Sequence, residues 1–169
     1  MNAATRPMYT NEASTEFLRS RDKPFFSEQE VGAFSTKAQA AFYEQRAYKD
    51  AHPTTAIYRV AAEGSQTRDG GVIQHGTSRM TFVLADDQRV NAAQLGDYAV
   101  YPDGTQAQIV TASGQDYDHV ALVGSRLCNG DEIINTPQGG VLLLAREGVP
   151  PANDFLPAVE SMQGSGSHG

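Results

Sequence analysis

Asp69, His75, Asp97, Asp103 and Asp131 are the central side chains able to exchange protons, and Cys128 is the one thiol in the chain. A carboxylate pair, or a carboxylate beside an imidazole, does acid–base work only when the groups come within hydrogen-bond reach of each other and of a substrate. The spacing of these residues supplies no such geometry. The aspartates stand in glycine-rich turns, where Asp usually accepts hydrogen bonds from its own backbone. Cys128 as a nucleophile would need a basic partner, and none is evident nearby. There is no Gly-x-Ser-x-Gly elbow, no phosphate loop with Lys and no His-Glu-x-x-His. "TRDGGVIQHG" has the glycines of a nucleotide fingerprint without its strand–helix context. The chain is therefore expected not to be an enzyme.

The turns that hold these residues recur in a fixed order. "VAAEGSQTRDGGVIQHG" runs from Val60 to Gly76, "NAAQLGDYAVYPDGTQAQIVTASG" from Asn91 to Gly114, and "VALVGSRLCNGDEIINTPQG" from Val120 to Gly139. Each has a small apolar stretch, Gly-Ser or Gly-Asp, a polar loop, a glycine, a β-branched run and a last glycine. The leading glycines Gly64, Gly96 and Gly124 are 32 and 28 residues apart, and Gly70, Gly104 and Gly130 close the loops. Glycine takes positive φ cheaply and lets backbones approach closely, which fits loops that converge. "TFVLADDQRV" between the first two units reads as a hairpin with Asp86-Asp87 at its tip, and "VTASGQDYDHVAL" as its counterpart. Three like units in one chain predict pseudo-threefold symmetry: a small body, narrow where the loops meet and wide where the hairpins spread. The natural partner of such a body has true threefold symmetry and an end to cover.

The elements that must position these turns are mostly short strands. From Ile57 to Gly140 the candidates are "TAIYRV", "GVIQ", "RMTFVLA", "AQIVTA", "HVALV" and "EIINT", so the fold class is mainly β. Phe82, Leu84, Val110 and Leu122 are candidates for either the core or the wide base. Residues 1–56 form an N-terminal extension with a short helix in "NEASTEFLRSR". A second helix is predicted over about 28–50. Ser27 and Glu30 make a capping box there, with Phe26 and Val31 placed as a hydrophobic staple. Val31, Phe34, Ala38, Ala41, Phe42 and Tyr48 share one face, and Pro53 ends the pattern. Residues 141–169 are a C-terminal tail: "VLLLA", then "DFLPAVESMQ" as a candidate helix with Pro157 in its first turn, then the linker-like "GSGSHG".

Composition narrows the partners. Thirteen Lys and Arg against 20 Asp and Glu give a net charge of −7, which disfavours nucleic-acid phosphates and anionic membranes. One cysteine permits no internal disulfide. No signal-peptide-like segment opens the sequence, and no run approaches the roughly 20 apolar residues of a membrane span. The expectation is a soluble chain without stable transmembrane insertion.

In the order of its motifs the chain resembles the PAAR-repeat family, whose members form the tip on the trimeric valine-glycine-repeat spike of type VI secretion and related contractile injection machines. The resemblance covers about residues 57–140. It rests on "TRDGG" (Thr67 to Gly71), "VNAAQLGD" (Val90 to Asp97), "YPDG" (Tyr101 to Gly104), "VALVGS" (Val120 to Ser125) and "CNG" (Cys128 to Gly130). Gly64, Gly70, Gly71, Gly96, Gly104, Gly124 and Gly130 would then be the apex and turn glycines. The resemblance implies a structural tip, one copy per spike trimer, with an effector or chaperone held through the N-terminal helix. It also implies assembly in the cytoplasm followed by delivery with the spike. The family often ties its apex with zinc, which would make Cys128, Asp69 and Asp103 the donors at matching positions. Asp69 and Asp103 stand where the family has histidine, and Tyr101 where it has cysteine. An apex held by hydrogen bonds and packing is the alternative. The competing functional reading is a secreted or surface module that binds a ligand or carbohydrate through polar apical loops.

Overall fold

The computed structural model describes residues 6–158. The described residues form small sheets of two or three strands and three α-helices, and no closed barrel. Two compact units are separated: Tyr58–Leu143 with 6–11 and 151–158, and Glu12–Ile57 with Leu144–Pro150.

The second unit holds the helices, α1 (Thr15–Ser20), α2 (Glu28–Gly32) and α3 (Thr36–Ala51). It also holds most of β1 (Thr54–Arg59) and of its partner strand β7 (Leu142–Arg146), from the "VLLLA" segment. The capping box at α2 forms as its residues dictate. Ser27 Oγ accepts the Glu30 N–H at 3.1 Å, and the Glu30 carboxylate accepts the Ser27 N–H at 2.8 Å. Val31 is fully buried. The single helix expected over 28–50 is two, because α2 ends at Gly32 and Ser35 starts a new helix by accepting the Ala38 N–H at 3.1 Å. No residue of α3 is buried. Its apolar face instead lines an open cleft of about 440 Å³, with Phe25, Phe26, Phe34 and Phe42 among the walls. Phe25 is 90% exposed.

Asp22, just beyond α1, ties this unit together. Its carboxylate accepts the Thr54 N–H at 2.8 Å, the Thr54 hydroxyl at 2.7 Å and the Arg146 guanidinium at 2.9 Å. Burial pushes its carboxyl up, but these donors outweigh that and hold it below its ordinary value. A depressed folded-state pKa contributes stability that is present above the unfolded value, about 4, and is lost as pH falls through the folded one. We therefore expect the helical signal at 222 nm to weaken as pH drops below about 4. Asp22→Asn should cost about 2 kcal/mol at neutral pH and remove this group's share of the acid transition. An unchanged urea midpoint in that variant would dispose of the tie.

The first unit is built from short strands and turns. β2 (Val72–Ile73), β5 (Tyr98–Val100) and β6 (Gln106–Gln108) make a three-stranded sheet in the order β2-β5-β6, with Ile73 opposite Ala99 and Ala99 opposite Ala107. β3 (Thr81–Val83) and β4 (Arg89–Asn91) are the hairpin expected there, with Phe82 opposite Val90. Asp87 at its tip takes φ 66°, the left-handed value that Asp tolerates in a turn.

Several expectations are corrected. "VTASGQDYDHVAL" is no β-hairpin: Gln115–Tyr117 form a 3₁₀ turn, and Asp118 and His119 take positive φ behind it. Its ends are closed by the bonds from the Ser113 N–H to the Val120 carbonyl, 3.0 Å, and from the His119 N–H to the Gly114 carbonyl, 2.9 Å. "HVALV" and "EIINT" pair through isolated bridges rather than extended strands. Phe82, Leu84 and Leu122 belong to the core, and Val110 is half-buried. "DFLP" is a turn and bend rather than the start of a helix, and the remainder of that predicted helix lies mostly outside the described residues.

The core of this unit has two clusters, and three short segments alternate between them. Ala61, Ala93 and Ala121 enter one cluster, with Ile73, Ile109, Leu127 and Ile133. Their neighbours Val60, Ala62, Ala92, Val120 and Leu122 enter the other, with Phe82, Leu84 and Val90. That is the period-2 alternation of extended chain. The three segments close on one another. The Ala61 N–H donates to the Ala121 carbonyl at 2.8 Å, Ala121 to Ala93 at 2.8 Å, and Ala93 back to Ala61 at 2.9 Å. All three alanines are 0% exposed.

Candidate functional site

The local geometry around the leading glycines is the same three times. Gly64, Gly96 and Gly124 have φ of 98°, 94° and 107°. Their N–H groups donate to the carbonyls of Ile73, Ile109 and Ile133 at 2.8, 3.0 and 2.8 Å. The next residue braces each turn: Ser65 Oγ accepts the Ala62 N–H at 3.0 Å, Asp97 Oδ2 the Gln94 N–H at 2.9 Å, and Ser125 Oγ the Leu122 N–H at 3.0 Å. Asp97 also accepts the Thr77 N–H and hydroxyl, at 2.9 and 2.6 Å, so it holds backbone in place.

Beyond them lie three turns of one pattern. Gly70, Gly104 and Gly130, at φ 98°, 87° and 88°, donate to the carbonyls of Thr67, Tyr101 and Leu127. The N–H groups of those same three residues donate to the carbonyls of Gly71, Thr105 and Asp131.

These turns meet at the side chain of Asp131, which is 0% exposed. Its Oδ1 accepts the Asp69 N–H at 3.1 Å and the Glu132 N–H at 2.7 Å. Its Oδ2 accepts the Tyr101 hydroxyl at 2.5 Å, and the Thr67 hydroxyl is a further hydrogen-bond partner. Asn129 supports both members of the pair: its Oδ1 accepts the Asp131 N–H and its Nδ2 donates to the Tyr101 oxygen, each at 3.0 Å. The Arg68 guanidinium lies 4.0 Å from the same carboxylate and donates to the Gly130 carbonyl at 3.0 Å. Burial pushes the Asp131 carboxyl up, yet the bonds from Thr67, Tyr101 and the two backbone N–H groups leave it below its ordinary value. Burial, then the bond to Asp131, pushes the Tyr101 phenol up. Gly71 makes room for the ring: a Cβ there would lie 3.0 Å from both Thr67 Oγ1 and Tyr101 Cε1.

The donors implied for zinc do not fit it. Among the described residues no three His, Cys, Asp or Glu side chains are grouped as a metal site. Asp103 Oδ1 accepts the Thr105 N–H at 3.0 Å and its hydroxyl at 2.7 Å, closing its own turn. Asp69 lies 3.6 Å from Arg68. Cys128 is exposed, so it is not the small buried hydrophobe that a free cysteine often is, and its sulfur lies 3.4 Å from the Gln108 nitrogen. His75 and His119 are exposed. Asp69, Tyr101, Pro102, Asp103, Thr105 and Asn129 surround an open depression of about 380 Å³. The sequence points to Tyr101 only as a departure from a metal ligand and to Asp131 only as one aspartate among several. The signal for their pairing is slight: Asp131 directly follows a loop-closing glycine, as no residue of its kind does after Gly70 or Gly104.

The chain matches no protein-family model, no curated protein and no solved structure. No helix among the described residues is long and apolar enough to cross a membrane.

Proposed function

We propose that this chain is a non-enzymatic tip that caps and sharpens the trimeric β-helical spike of a contractile secretion or injection machine. The observation that carries the reading is the closed ring of hydrogen bonds through Ala61, Ala121 and Ala93, with the same glycine turn following each alanine. In this reading the β unit is three copies of one motif around a pseudo-threefold axis, a cone narrowing toward Asp131. A single chain with internal threefold repetition can meet all three subunits of a trimer in equivalent ways, which no single asymmetric patch could do. Its docking would also cover the exposed strand edges at the spike's end.

The aspartates support a structural role. Asp97, Asp103 and Asp131 spend their lone pairs on backbone and hydroxyl donors within the fold. To the helical unit we assign the carrying of an effector, directly or through a chaperone. The chain would assemble on the spike in the cytoplasm and leave with it. The test is to mix purified chain with the cognate trimeric spike protein, and with a spike truncated at its β-helical end. Co-elution with the first and not the second is expected. Glycan binding by the 97–104 loop without any affinity for the spike would favour a surface binding module instead.

A further inference from the structure

We infer that the three turns are locked together by one buried carboxylate, that of Asp131, and that this lock does the work for which the PAAR resemblance implies zinc. A metal ties loops by drawing one ligand from each. Here each turn sends a donor to one anion. The first supplies the Asp69 N–H and the Thr67 hydroxyl, the second the Tyr101 hydroxyl, and the third the Glu132 N–H beside Asp131 itself. Both carboxylate oxygens are engaged by hydrogen bonds, so they stand committed to the protein's own donors. Hydrogen bonds to an ionised acceptor are roughly twice as strong as neutral ones, and burial removes competing water.

The surroundings are arranged to keep the group ionised. The Arg68 guanidinium lies 4.0 Å from Asp131, and it also faces Asp69 at 3.6 Å and Glu132 at 3.8 Å, while Arg126 approaches Glu132 at 3.8 Å. The two cations thus balance the acidic neighbours that would otherwise repel the buried anion. Gly71 completes the arrangement, since a Cβ there would crowd the Tyr101 ring at 3.0 Å. The lock accounts for a turn sequence that departs from the implied metal site at three places: Tyr101 and the Asp69 N–H are donors to the anion, and Asp103 only closes its own turn. It stands whether or not the chain caps a spike.

The test combines chelation with two variants of the full chain. EDTA or phenanthroline should leave the melting temperature of the wild type unchanged within about 1 °C, and added zinc should do the same. Tyr101→Phe keeps the ring and removes one bond, and should lower the melting temperature by about 3–8 °C. It should also speed amide exchange at Asp69 and Glu132, whose N–H groups donate to the carboxylate. Asp131→Asn should lower the melting temperature further, and adding Tyr101→Phe to it should cost little more, because both remove the same interaction. If Asp131→Asn does not fold, Tyr101→Phe alone decides. Stoichiometric zinc whose removal lowers the melting temperature would overturn the inference. So would a Tyr101→Phe protein whose melting temperature and exchange match the wild type.

Discussion

Gly76→Ala should leave the β unit unable to reach its native packing. A Cβ at this position would sit 2.4 Å from the Ala92 carbonyl oxygen and 2.7 Å from that of Asn91. Both obstacles are backbone, so no rotamer change relieves them. The backbone there is fixed from several sides. The Ala92 N–H donates to the Met80 carbonyl at 2.8 Å, the Ser78 N–H donates to Ala92 at 3.2 Å, and Ala92 is fully buried. Glu63 staples the two segments at this distance, accepting the Gly76 N–H and the Asn91 N–H, each at 3.0 Å. Overpacking usually costs about 1–3 kcal/mol, and a clash that must move two bonded backbones belongs at or above the top of that range. Gly140→Ala is the control: a Cβ there would meet nothing within 4 Å, and the change should alter stability by no more than about 0.5 kcal/mol. Circular dichroism and urea unfolding of the two variants would read the contrast. A Gly76→Ala protein as stable as Gly140→Ala would mean that segments 76–78 and 91–92 are not held as described.

The second large effect falls on three isoleucines. Ile73, Ile109 and Ile133 are 0%, 1% and 0% exposed and occupy one cluster. Each receives the N–H of a leading glycine on its carbonyl, and each donates its own N–H to the residue after that glycine, at 2.9, 2.8 and 2.9 Å. Truncating any of them to alanine should cost about 2–5 kcal/mol. If the unit repeats one motif, the three costs should agree within about 1.5 kcal/mol, because burial, bonding and neighbours are matched. Pairs of these substitutions should not add simply, since the side chains share a cluster. A cost below about 1 kcal/mol at one site with large costs at the other two would break the equivalence.

Much of this fold is legible locally. Ser27 and Glu30 announce a helix start through chemistry confined to four residues, and the capping box is there. Asp86-Asp87 between "TFVL" and "QRV" announces a hairpin, and the strands pair around it. What is not legible follows from distance or from competing signals. The apolar period runs straight through Gly32 and Ser35, which conceals the break between α2 and α3. Strands of two or three residues, such as Val72–Ile73, are too short for alternation to declare them. Ala61, Ala93 and Ala121 look like filler in small-residue stretches, although each stands three residues before a leading glycine. Their role appears only when the three segments close into a ring. Tyr101 and Asp131 are 30 residues apart in different turns, so no local pattern could link them. A polar residue where the resemblance implies a metal ligand then reads as a loss, whereas the fold uses Tyr101 as a donor.

The capping reading depends on one count. A single chain whose three motifs meet three identical subunits must bind once per trimer. Native mass spectrometry of the complex, formed from purified chain and cognate spike protein, should show one copy of this 169-residue chain for every three spike subunits, even with the chain in excess. Three copies per trimer, or no complex at all, would contradict it.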